Sequence, residues 1–443
     1  MKRTSSLLIL SLIFIVKANG QFTYLNPKPN ASFINPQTTI AIKNGELIDE
    51  ASLRKKEFIA ITGSLSGKHA YSSRLSDDGK TIIVHPTPIF KCGETVTVEL
   101  YSNRLKKKSG ELIQGTSFSF QIREEITAEQ EKKYKQALMA FYSQEDMDGD
   151  NSSADLRTEN LDSLPTYAIT TNTNPAPGQI FFKNINNFLP VDTNGFATII
   201  ENNGDVTWAH KLKTAGMDFK INYNGYITYF DDSTKYWIVL DSNYEKIDSL
   251  QCGNGLAAYV NSHDVAMYSD KHSLVLVNDV RTMDLTQYGG KSNATVTGIK
   301  IQELDSAKDV IWEWNGWDYF NVDDAVSTVI ITGYLVDYVH SNSVSRDNDG
   351  NIILSSRNLD ELTKINRNTD SIIWRLNGEN NQFTFINDNI AEHFIHQHDA
   401  HRISNGNLML FNNANFLSPQ KSSSKEYALD ETNKTATLIW YYE

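Results

Sequence analysis

The sequence is poor in cysteine, in positive charge and in long apolar runs. Its 443 residues contain two cysteines, Cys92 and Cys252, which fall in different predicted domains, so we expect two buried thiols rather than a disulfide. Lys and Arg (41) are outnumbered by Asp and Glu (54), and the net charge is −13. Nucleic acids and anionic membranes need a basic face, so the charge argues against both as partners. Past the N-terminus no apolar run is long enough to span a bilayer, which argues against membrane insertion.

The N-terminus has the pattern of a signal peptide. Lys2 and Arg3 precede an apolar stretch at residues 7–16, and the small-residue sequence ANG ends at Gly20. Charged, apolar and small residues in this order are typical of export signals, so residues 1–20 are predicted to be a signal peptide. No cysteine follows the cleavage site, which argues against a lipid anchor. We therefore expect an exported soluble protein, either periplasmic or secreted.

The rest of the chain divides into two predicted domains and a linker, because 443 residues are too many for one ordinary core. Residues 22–123 contain β-branched runs, such as those at 81–84 and 95–100, which predict a small β-sandwich. This part resembles the bacterial immunoglobulin-like modules that precede secreted catalytic domains. Residues 124–164 start with helix formers at 125–142 and become acidic, which predicts a helical and acidic linker.

Residues 165–443 are repetitive. A typical unit has an Asx-Gly turn, an apolar strand, a second strand with an aspartate and an outer strand with a tryptophan, as from residue 349 to Trp374 and from residue 405 to Trp440. Asn-Gly between apolar runs predicts type I′ hairpins. Four short antiparallel strands per unit, repeated around a ring, predict an all-β fold of the β-propeller type. About five units can be recognised, and the alternatives are a second β-sandwich or an open solenoid.

The sequence stops directly after an outer strand, at residues 440–443. Either the recognisable blades close the ring, or a last blade is missing from this chain, and the second interpretation is favoured. An unclosed ring leaves a strand edge open to association. The sequence leaves the oligomeric state open, with a homodimer as one option.

Three histidines stand at the same place in successive repeats. His263, His340 and His398 each precede a turn and an apolar strand. Because the first strand of each propeller blade lines the central channel, we expect the three imidazoles to converge at one channel mouth. Asn342 lies two residues after His340, which on a strand is the same face, and Arg357 follows the next strand of that repeat. Imidazoles, an amide and a guanidinium predict an anion site.

Several segments resemble the signature segments of bacterial arylsulfate sulfotransferases. They are DYVHSNS at 337–343, LSSR at 354–357, IWRLNG at 373–378, QHDA at 397–400 and NGNLMLF at 405–411. The resemblance implies a six-bladed propeller that transfers a sulfuryl group from an aryl sulfate donor to a phenolic acceptor. It implies no nucleotide donor, no cofactor and no metal.

The same resemblance implies roles for the predicted site residues. His398 would become transiently sulfated, and His263, His340, Asn342 and Arg357 would surround the sulfate. Sulfuryl transfer, like phosphoryl transfer, spreads charge over equatorial oxygens in a loose transition state, which these donors would stabilise. Attack by neutral His398 and proton transfer by a second histidine predict ping-pong kinetics. The sequence does not decide whether His263 or His340 carries the proton.

Other functions stay open from the sequence. His393, His396, His398 and His401 form a run of imidazoles, and imidazoles are common zinc ligands, so a metal-dependent hydrolase is one alternative. On a strand, His396 and His398 would share a face. A non-catalytic secreted propeller that binds glycan or protein is the other. His401 also stands where many relatives of the resembled family have arginine, which leaves the outer contacts of the site open.

Overall fold

The computed structural model describes residues 22–144, 164, 167–183, 195–212, 218–390 and 392–443. The predicted signal peptide and most of the predicted acidic linker lie outside these residues. Among the described residues, no helix is long and apolar enough to cross a membrane. Both cysteines are free thiols, Cys252 buried and Cys92 half-buried.

Two four-stranded sheets with a common hydrophobic core form the N-terminal part. The alternation of exposed and buried residues along the strand at Thr95–Leu100 has the two-residue period of a half-buried strand, and it directs Val96 and Val98 into this core. The sheet orders are β1-β2-β6-β5 and β4-β3-β7-β8, with strands β1 (Tyr24–Asn26), β2 (Ile40–Lys43), β3 (Ile59–Gly63), β4 (Gly67–Lys68), β5 (Ala70–Leu75), β6 (Thr81–Thr87), β7 (Thr95–Leu100) and β8 (Thr116–Gln121) and helix α1 (Glu50–Lys55). The predicted sandwich is confirmed, and its immunoglobulin-like character stays a prediction.

Helix α2 (Ala128–Gln144) follows the sandwich, where the sequence predicted a helical linker. Thr127 and Gln130 cap its start reciprocally, since each side chain accepts a hydrogen bond from the other residue's backbone N–H, at 3.2 and 3.0 Å. Tyr134 packs against Val280 of the following domain, and its hydroxyl accepts a hydrogen bond from the backbone N–H of Thr282. The helix is therefore docked on the C-terminal domain.

Five further antiparallel sheets occur among the described residues after 164, and we number them blades 1 to 5 in chain order. Two pairings within them are parallel, that of Leu335–Asp337 with Ala294–Leu304 and that of Thr384–Ile386 with Thr435–Tyr442. Blade 1 has β9 (Gln179–Lys183), β10 (Gly195–Glu201) and β11 (Val206–Leu212); blade 2 has β12 (Lys220–Ile221), β13 (Ile227–Asp231), β14 (Tyr236–Leu240) and β15 (Lys246–Leu250); blade 3 has β16 (Val260–Met267), β17 (Ser273–Met283), β18 (Ala294–Leu304), β19 (Val310–Asn315) and β20 (Leu335–Asp337); blade 4 has β21 (Ser341–Arg346), β22 (Ile352–Ser356), β23 (Glu361–Ile365) and β24 (Ile372–Leu376); blade 5 has β25 (Thr384–Ile386), β26 (His398–Arg402), β27 (Leu408–Asn412), β28 (Ser423–Asp430) and β29 (Thr435–Tyr442).

Each blade packs face to face against the next. Every interface has its own cluster of buried side chains, and a member from each of the two blades is, in order, Ile199 and Tyr229, Trp237 and Val275, Leu276 and Leu354, Trp374 and Leu410. The innermost strands are also joined in chain order: the Asp264 carboxylate on β16 pairs with Lys220 on β12 and accepts from the N–H of Val344 on β21. Sheets that stack in succession around one set of inner strands form a β-propeller, as predicted. The prediction of six blades stays a prediction.

The tryptophans of the repeats pack between blades wherever a next blade covers them. Trp312 and Trp374 are fully buried, whereas Trp440 on β29 is 46 % exposed. Trp237 lies on the third strand of its blade rather than on the outermost one.

The turns at Asn224, Asp349 and Asn405 are not the predicted type I′ hairpins. Only the glycine that follows each of these residues has a positive φ, between 82° and 88°. The Asx side chain instead accepts a hydrogen bond from the backbone N–H two residues later, at 2.9–3.1 Å, which holds its own φ negative. The prediction of type I′ was wrong because this side-chain bond and a left-handed glycine favour a longer, bulged turn.

The sandwich is fixed to the outer strands of blade 3. Arg74 donates hydrogen bonds to Asp309 and Asp305, each at 2.6 Å. Tyr24 lies at the same interface, where its hydroxyl accepts from the backbone N–H of Glu313 at 2.7 Å. These contacts leave the inner strands of the propeller to form the site.

Candidate active site

The inner strands of blades 3, 4 and 5 are irregular at the predicted site residues. The pairing of β16 with β17 is interrupted over residues 261–264, that of β21 with β22 at Asn342, and that of β26 with β27 over residues 399–400. Such bulges redirect side chains and are common beside active sites. The three blades thus use the same device at the same level of the channel.

These irregular strands bring the three predicted imidazoles together. The ring centroid of His263 is 5.0 Å from that of His340 and 6.4 Å from that of His398. His263 and His340 are buried, at 8 % and 1 % exposure, whereas His398 is half-buried. His398 is therefore the most accessible of the three rings.

In each of the three rings, Nδ1 faces an acceptor oxygen. His398 Nδ1 lies 3.0 Å from the His396 carbonyl and 2.9 Å from Asn413 Oδ1. His340 Nδ1 lies 2.5 Å from Asp337 Oδ2, and His263 Nδ1 lies 2.9 Å from Asn261 Oδ1. Since Nδ1 faces an acceptor oxygen in each case, Nδ1 carries the proton of the neutral ring and Nε2 carries its lone pair.

Arg357 and Asn342 connect the histidines to one another. The backbone N–H of Arg357 donates to the His340 carbonyl at 3.0 Å, and the buried guanidinium donates to Asn358 Oδ1 at 2.7 Å. Asn342 Nδ2 donates to the Gln397 carbonyl at 2.7 Å, directly before His398. All five predicted site residues therefore lie in one bonded assembly at the ends of the inner strands.

One step of the sequence argument for Asn342 was wrong. It assumed that His340 and Asn342 occupy one regular strand, but His340 precedes β21 with a φ of 47°, and Asn342 is itself the bulged residue. A left-handed residue and a bulge both break the two-residue alternation on which the argument depended. The same applies to His396 and His398: His396 precedes β26 with a φ of 51°, so the two do not share a strand face.

His396 belongs to the site, although the sequence offered it only as a metal ligand. It is buried, and its backbone N–H donates to Asp360 Oδ1 at 2.6 Å. Burial and the positive charges of Arg357 and the neighbouring imidazoles lower the pKa of His396 to about 3. Burial also raises the pKa of Asp360 to about 7, although Arg357 opposes it. His396 is thus a neutral ring close to the positive charge of Arg357.

Sequence reasoning missed Asp337, Asn261 and Gln397. Gln397 is fully buried, and its side-chain amide donates to Ser355 Oγ at 3.0 Å and to the Glu361 carbonyl at 3.1 Å, which fixes the chain before His398 to blade 4. The signal for Asp337 was present in the segment DYVHSNS, where it stands three residues before His340. No regular strand or helix period connects these pairs, so spacing alone did not reveal them.

A second group of charged side chains lies beside the same inner strands, and four of its five members line a cavity of about 300 Å³. We call it the carboxylate cluster: Asp218, Lys220, Asp264, Asp399 and His401. Lys220 pairs with Asp264 and, at 2.9 Å, with Asp218, and these carboxylates outweigh burial and raise the pKa of Lys220. The hydrogen bond with Asp399 raises the pKa of His401. We call His263, His340, His396, His398 and Arg357 the imidazole cluster.

Within the described part of the chain, no group of three or more His, Cys, Asp or Glu side chains is arranged to hold a metal ion. In the imidazole cluster the Nδ1 atoms of His263, His340 and His398 are occupied by protein oxygens. What the cluster offers is donors for an anion, together with one accessible imidazole. A group that carries negative charge on several oxygens matches it.

Comparison with protein families gives a chemical class to this anion. Residues 224–442 match the model of the arylsulfotransferase (ASST) family, a span that includes every residue of the imidazole cluster. This part of the chain belongs to the arylsulfotransferase family. The general reaction of this family is sulfuryl transfer from an aryl sulfate donor to a phenol acceptor. The chain is a sulfotransferase in that general sense.

Solved structures resemble the arylsulfotransferase chain only distantly. A protein of unknown function from Bacteroides caccae is 10% identical, with a TM-score of 0.32 over 56% of this chain and 69% of its own. A streptogramin B lyase is 7% identical, with a TM-score of 0.31 over 60% and 72%. The copper resistance protein PcoC from Escherichia coli is 13% identical, with a TM-score of 0.20 over 23% and 98%. These values support no functional inference, and no curated protein matches the chain.

Proposed function

We propose that the protein transfers a sulfuryl group from an aryl sulfate ester to a phenol by double displacement, without a nucleotide, through a sulfohistidine at His398. The observation that carries this proposal is the convergence of three Nδ1-anchored imidazoles, together with buried Arg357, whose backbone N–H bonds to the His340 carbonyl. The family match supports the general reaction, and the arrangement of these residues supports the particular route.

His398 is the proposed nucleophile. Its Nδ1 donates to oxygens of His396 and Asn413, which fixes the tautomer that has the lone pair on Nε2. It is also more accessible than His263 and His340, as the attacking atom has to be. In the first half-reaction its Nε2 forms a bond to sulfur while the bond from sulfur to the aryl oxygen breaks.

The remaining groups stabilise the transferring sulfuryl group. Its three oxygens carry the negative charge of a loose transition state. Arg357 is held by Asn358, with its backbone bonded to the His340 carbonyl, so the cation needs no reorganisation during the reaction. A preorganised donor of this kind lowers the barrier by about 3 kcal/mol.

Acceptor-dependent turnover tests the proposal. Purified protein is mixed with a chromogenic aryl sulfate, with and without phenol and without nucleotide. We expect phenol-stimulated release of the chromogenic product, parallel double-reciprocal plots for donor and acceptor, and loss of both in His398→Asn. His401→Asn is the matched control on the same strand and keeps the activity. Release that phenol does not stimulate would identify a sulfatase, and no release at all would contradict the proposal.

We also propose that the protein acts after export. The support is the charged, apolar and small-residue pattern of residues 1–20, which lie outside the described residues. Mature protein that begins near Gln21 in a periplasmic or culture fraction would support export. A cytoplasmic protein that keeps residues 1–20 would contradict it.

A further inference from the structure

His263 and His340 are held in the same way, by acceptors of different charge. Asn261 Oδ1 accepts from both the backbone N–H and Nδ1 of His263, each at 2.9 Å. The Asp337 carboxylate does the same for His340, with Oδ1 3.1 Å from the backbone nitrogen and Oδ2 2.5 Å from Nδ1. At Nδ1 the two imidazoles therefore differ in their acceptor, which is an amide oxygen for His263 and a carboxylate for His340.

The identity of the acceptor atom on Asn261 is fixed by its other contacts. Asn261 Nδ2 donates to the Ser341 carbonyl at 2.8 Å and to Asn278 Oδ1 at 3.1 Å. Both partners are oxygens, so the nitrogen of the amide has to face them, and Oδ1 has to face His263. Nδ1 of His263 thus faces a neutral acceptor, whereas Nδ1 of His340 faces a carboxylate.

Asp337 is held in place by strand pairing and by a side-chain hydrogen bond to its backbone. It ends strand β20, which pairs in parallel with β18 through Thr297. Its carbonyl accepts from Asn358 Nδ2 at 2.7 Å, and Asn358 in turn accepts from Arg357. The carboxylate side chain is only 11 % exposed, so water screens its charge weakly.

We infer that Asp337 is a positioning residue that makes His340, and not His263, the proton carrier of the reaction. This inference rests on the proposed function and decides what the sequence left open. A carboxylate on Nδ1 keeps the tautomer and orientation of His340 and stabilises its imidazolium, which the amide of Asn261 does not do for His263.

The proton balance of the reaction follows. In the first half-reaction the imidazolium of His340 gives its Nε2 proton to the aryl oxygen as the S–O bond breaks and the N–S bond to His398 forms. The phenol leaves, and His340 is neutral. In the second half-reaction His340 takes the proton of the acceptor hydroxyl, a new S–O bond forms and the N–S bond breaks. Both histidines return to their starting state.

The test compares two donors that differ in their need for a proton. Phenyl sulfate releases a phenolate with a pKa of about 10, which needs protonation, whereas 4-nitrophenolate leaves readily without it. For Asp337→Asn, which keeps an acceptor oxygen and loses the charge, we expect kcat/KM for the donor, which reports the first half-reaction alone, to fall about 100-fold with phenyl sulfate and less than about 5-fold with 4-nitrophenyl sulfate. Asp337→Glu should recover part of the phenyl sulfate activity. The matched variant Asn261→Ser should affect both donors to the same extent.

A titration separates this inference from the proposed function. With ¹⁵N-labelled histidine, and His340 assigned through His340→Gln, the midpoint of His340 should fall by about one pH unit in Asp337→Asn, since a carboxylate that favours the imidazolium is gone. This readout needs no turnover, so it decides the role of Asp337 even if no aryl sulfate is used. Equal losses with both donors and an unchanged midpoint would overturn the inference, as would a donor-dependent loss in Asn261→Ser.

Discussion

The imidazole cluster and the carboxylate cluster are built on the same inner strands and have opposite chemistry. His263 precedes Asp264 and His398 precedes Asp399, yet each pair is split between the two clusters. In the carboxylate cluster, Lys220 is neutralised by Asp218 and Asp264. In the imidazole cluster, donors dominate, and the Arg357 guanidinium donates to the neutral side chain of Asn358.

Under the proposed function, one channel carries both a structural and a chemical site. Charges that pair with each other inside the protein join neighbouring blades. Their charge is already balanced, so a charged ligand adds little electrostatic stabilisation. In the imidazole cluster the donors outnumber the carboxylates. Binding of an anion therefore gives this cluster the larger electrostatic stabilisation. The bulges on β16 and β26 allow this, because they send adjacent residues to different clusters.

Removal of a charge from the imidazole cluster should have the largest effect on activity. Arg357→Gln should lower kcat/KM for an aryl sulfate by about 100- to 1,000-fold, because the sulfuryl oxygens lose a preorganised cation. The matched control is Arg346→Gln at the other end of the same blade, where Arg346 stacks on Tyr268 and pairs with Asp270. Steady-state kinetics should show less than about a 3-fold change for the control. Equal losses in both variants would show that the loss in Arg357→Gln does not come from the imidazole cluster.

Removal of a charge from the carboxylate cluster should act on stability instead. Lys220→Met leaves Asp218 and Asp264 without their cation and should lower the free energy of unfolding by about 2–3 kcal/mol, somewhat less than for a fully buried pair. Urea unfolding measures this change, and Lys246→Met, at an exposed position on β15, is the control. A large loss of kcat with unchanged stability would place Lys220 in the chemical site.

Acid should weaken the imidazole cluster through His396. Its pKa is lowered from 6.5 to about 3, so below pH 6.5 the unfolded chain binds a proton that the folded protein excludes. Stability that is present above pH 6.5 is therefore lost as the pH falls, by about 2 kcal/mol between pH 7 and pH 5. The raised pKa of Asp360 acts with the opposite sign, so the contribution of His396 is measured as the difference in acid-induced loss between the wild type and His396→Gln.

His401 gives the opposite sign in the carboxylate cluster. Its pKa is raised by Asp399, so its contribution is complete below pH 6.5 and is lost as the pH rises through the folded value. The variant His401→Gln should therefore leave the acid-induced loss unchanged. Acid sensitivity that persists in His396→Gln and disappears in His401→Gln would contradict the assignment of the two histidines.

The sequence was sufficient for the features that repeat. Successive units with turns, apolar strands and tryptophans predicted the propeller, and the register of His263, His340 and His398 predicted their convergence. The features that depend on irregular backbone were out of reach. The bulge at Asn342 and the left-handed φ of His340 follow no period, so the links to Asp337, Asn261 and Gln397 emerge only from the folded chain. The prediction of type I′ turns was wrong for a similar reason, because a local side-chain hydrogen bond determines the turn type.

The most direct test of the account is a half-reaction on His398. The protein is incubated with an aryl [³⁵S]sulfate in the absence of both acceptor and nucleotide, then digested, and the labelled peptide is sequenced. The account predicts label on His398, its transfer to phenol when phenol is added, no label in His398→Asn and normal label in Asp399→Asn. Transfer to phenol without any protein-bound label, or label on a residue outside the imidazole cluster, would contradict it.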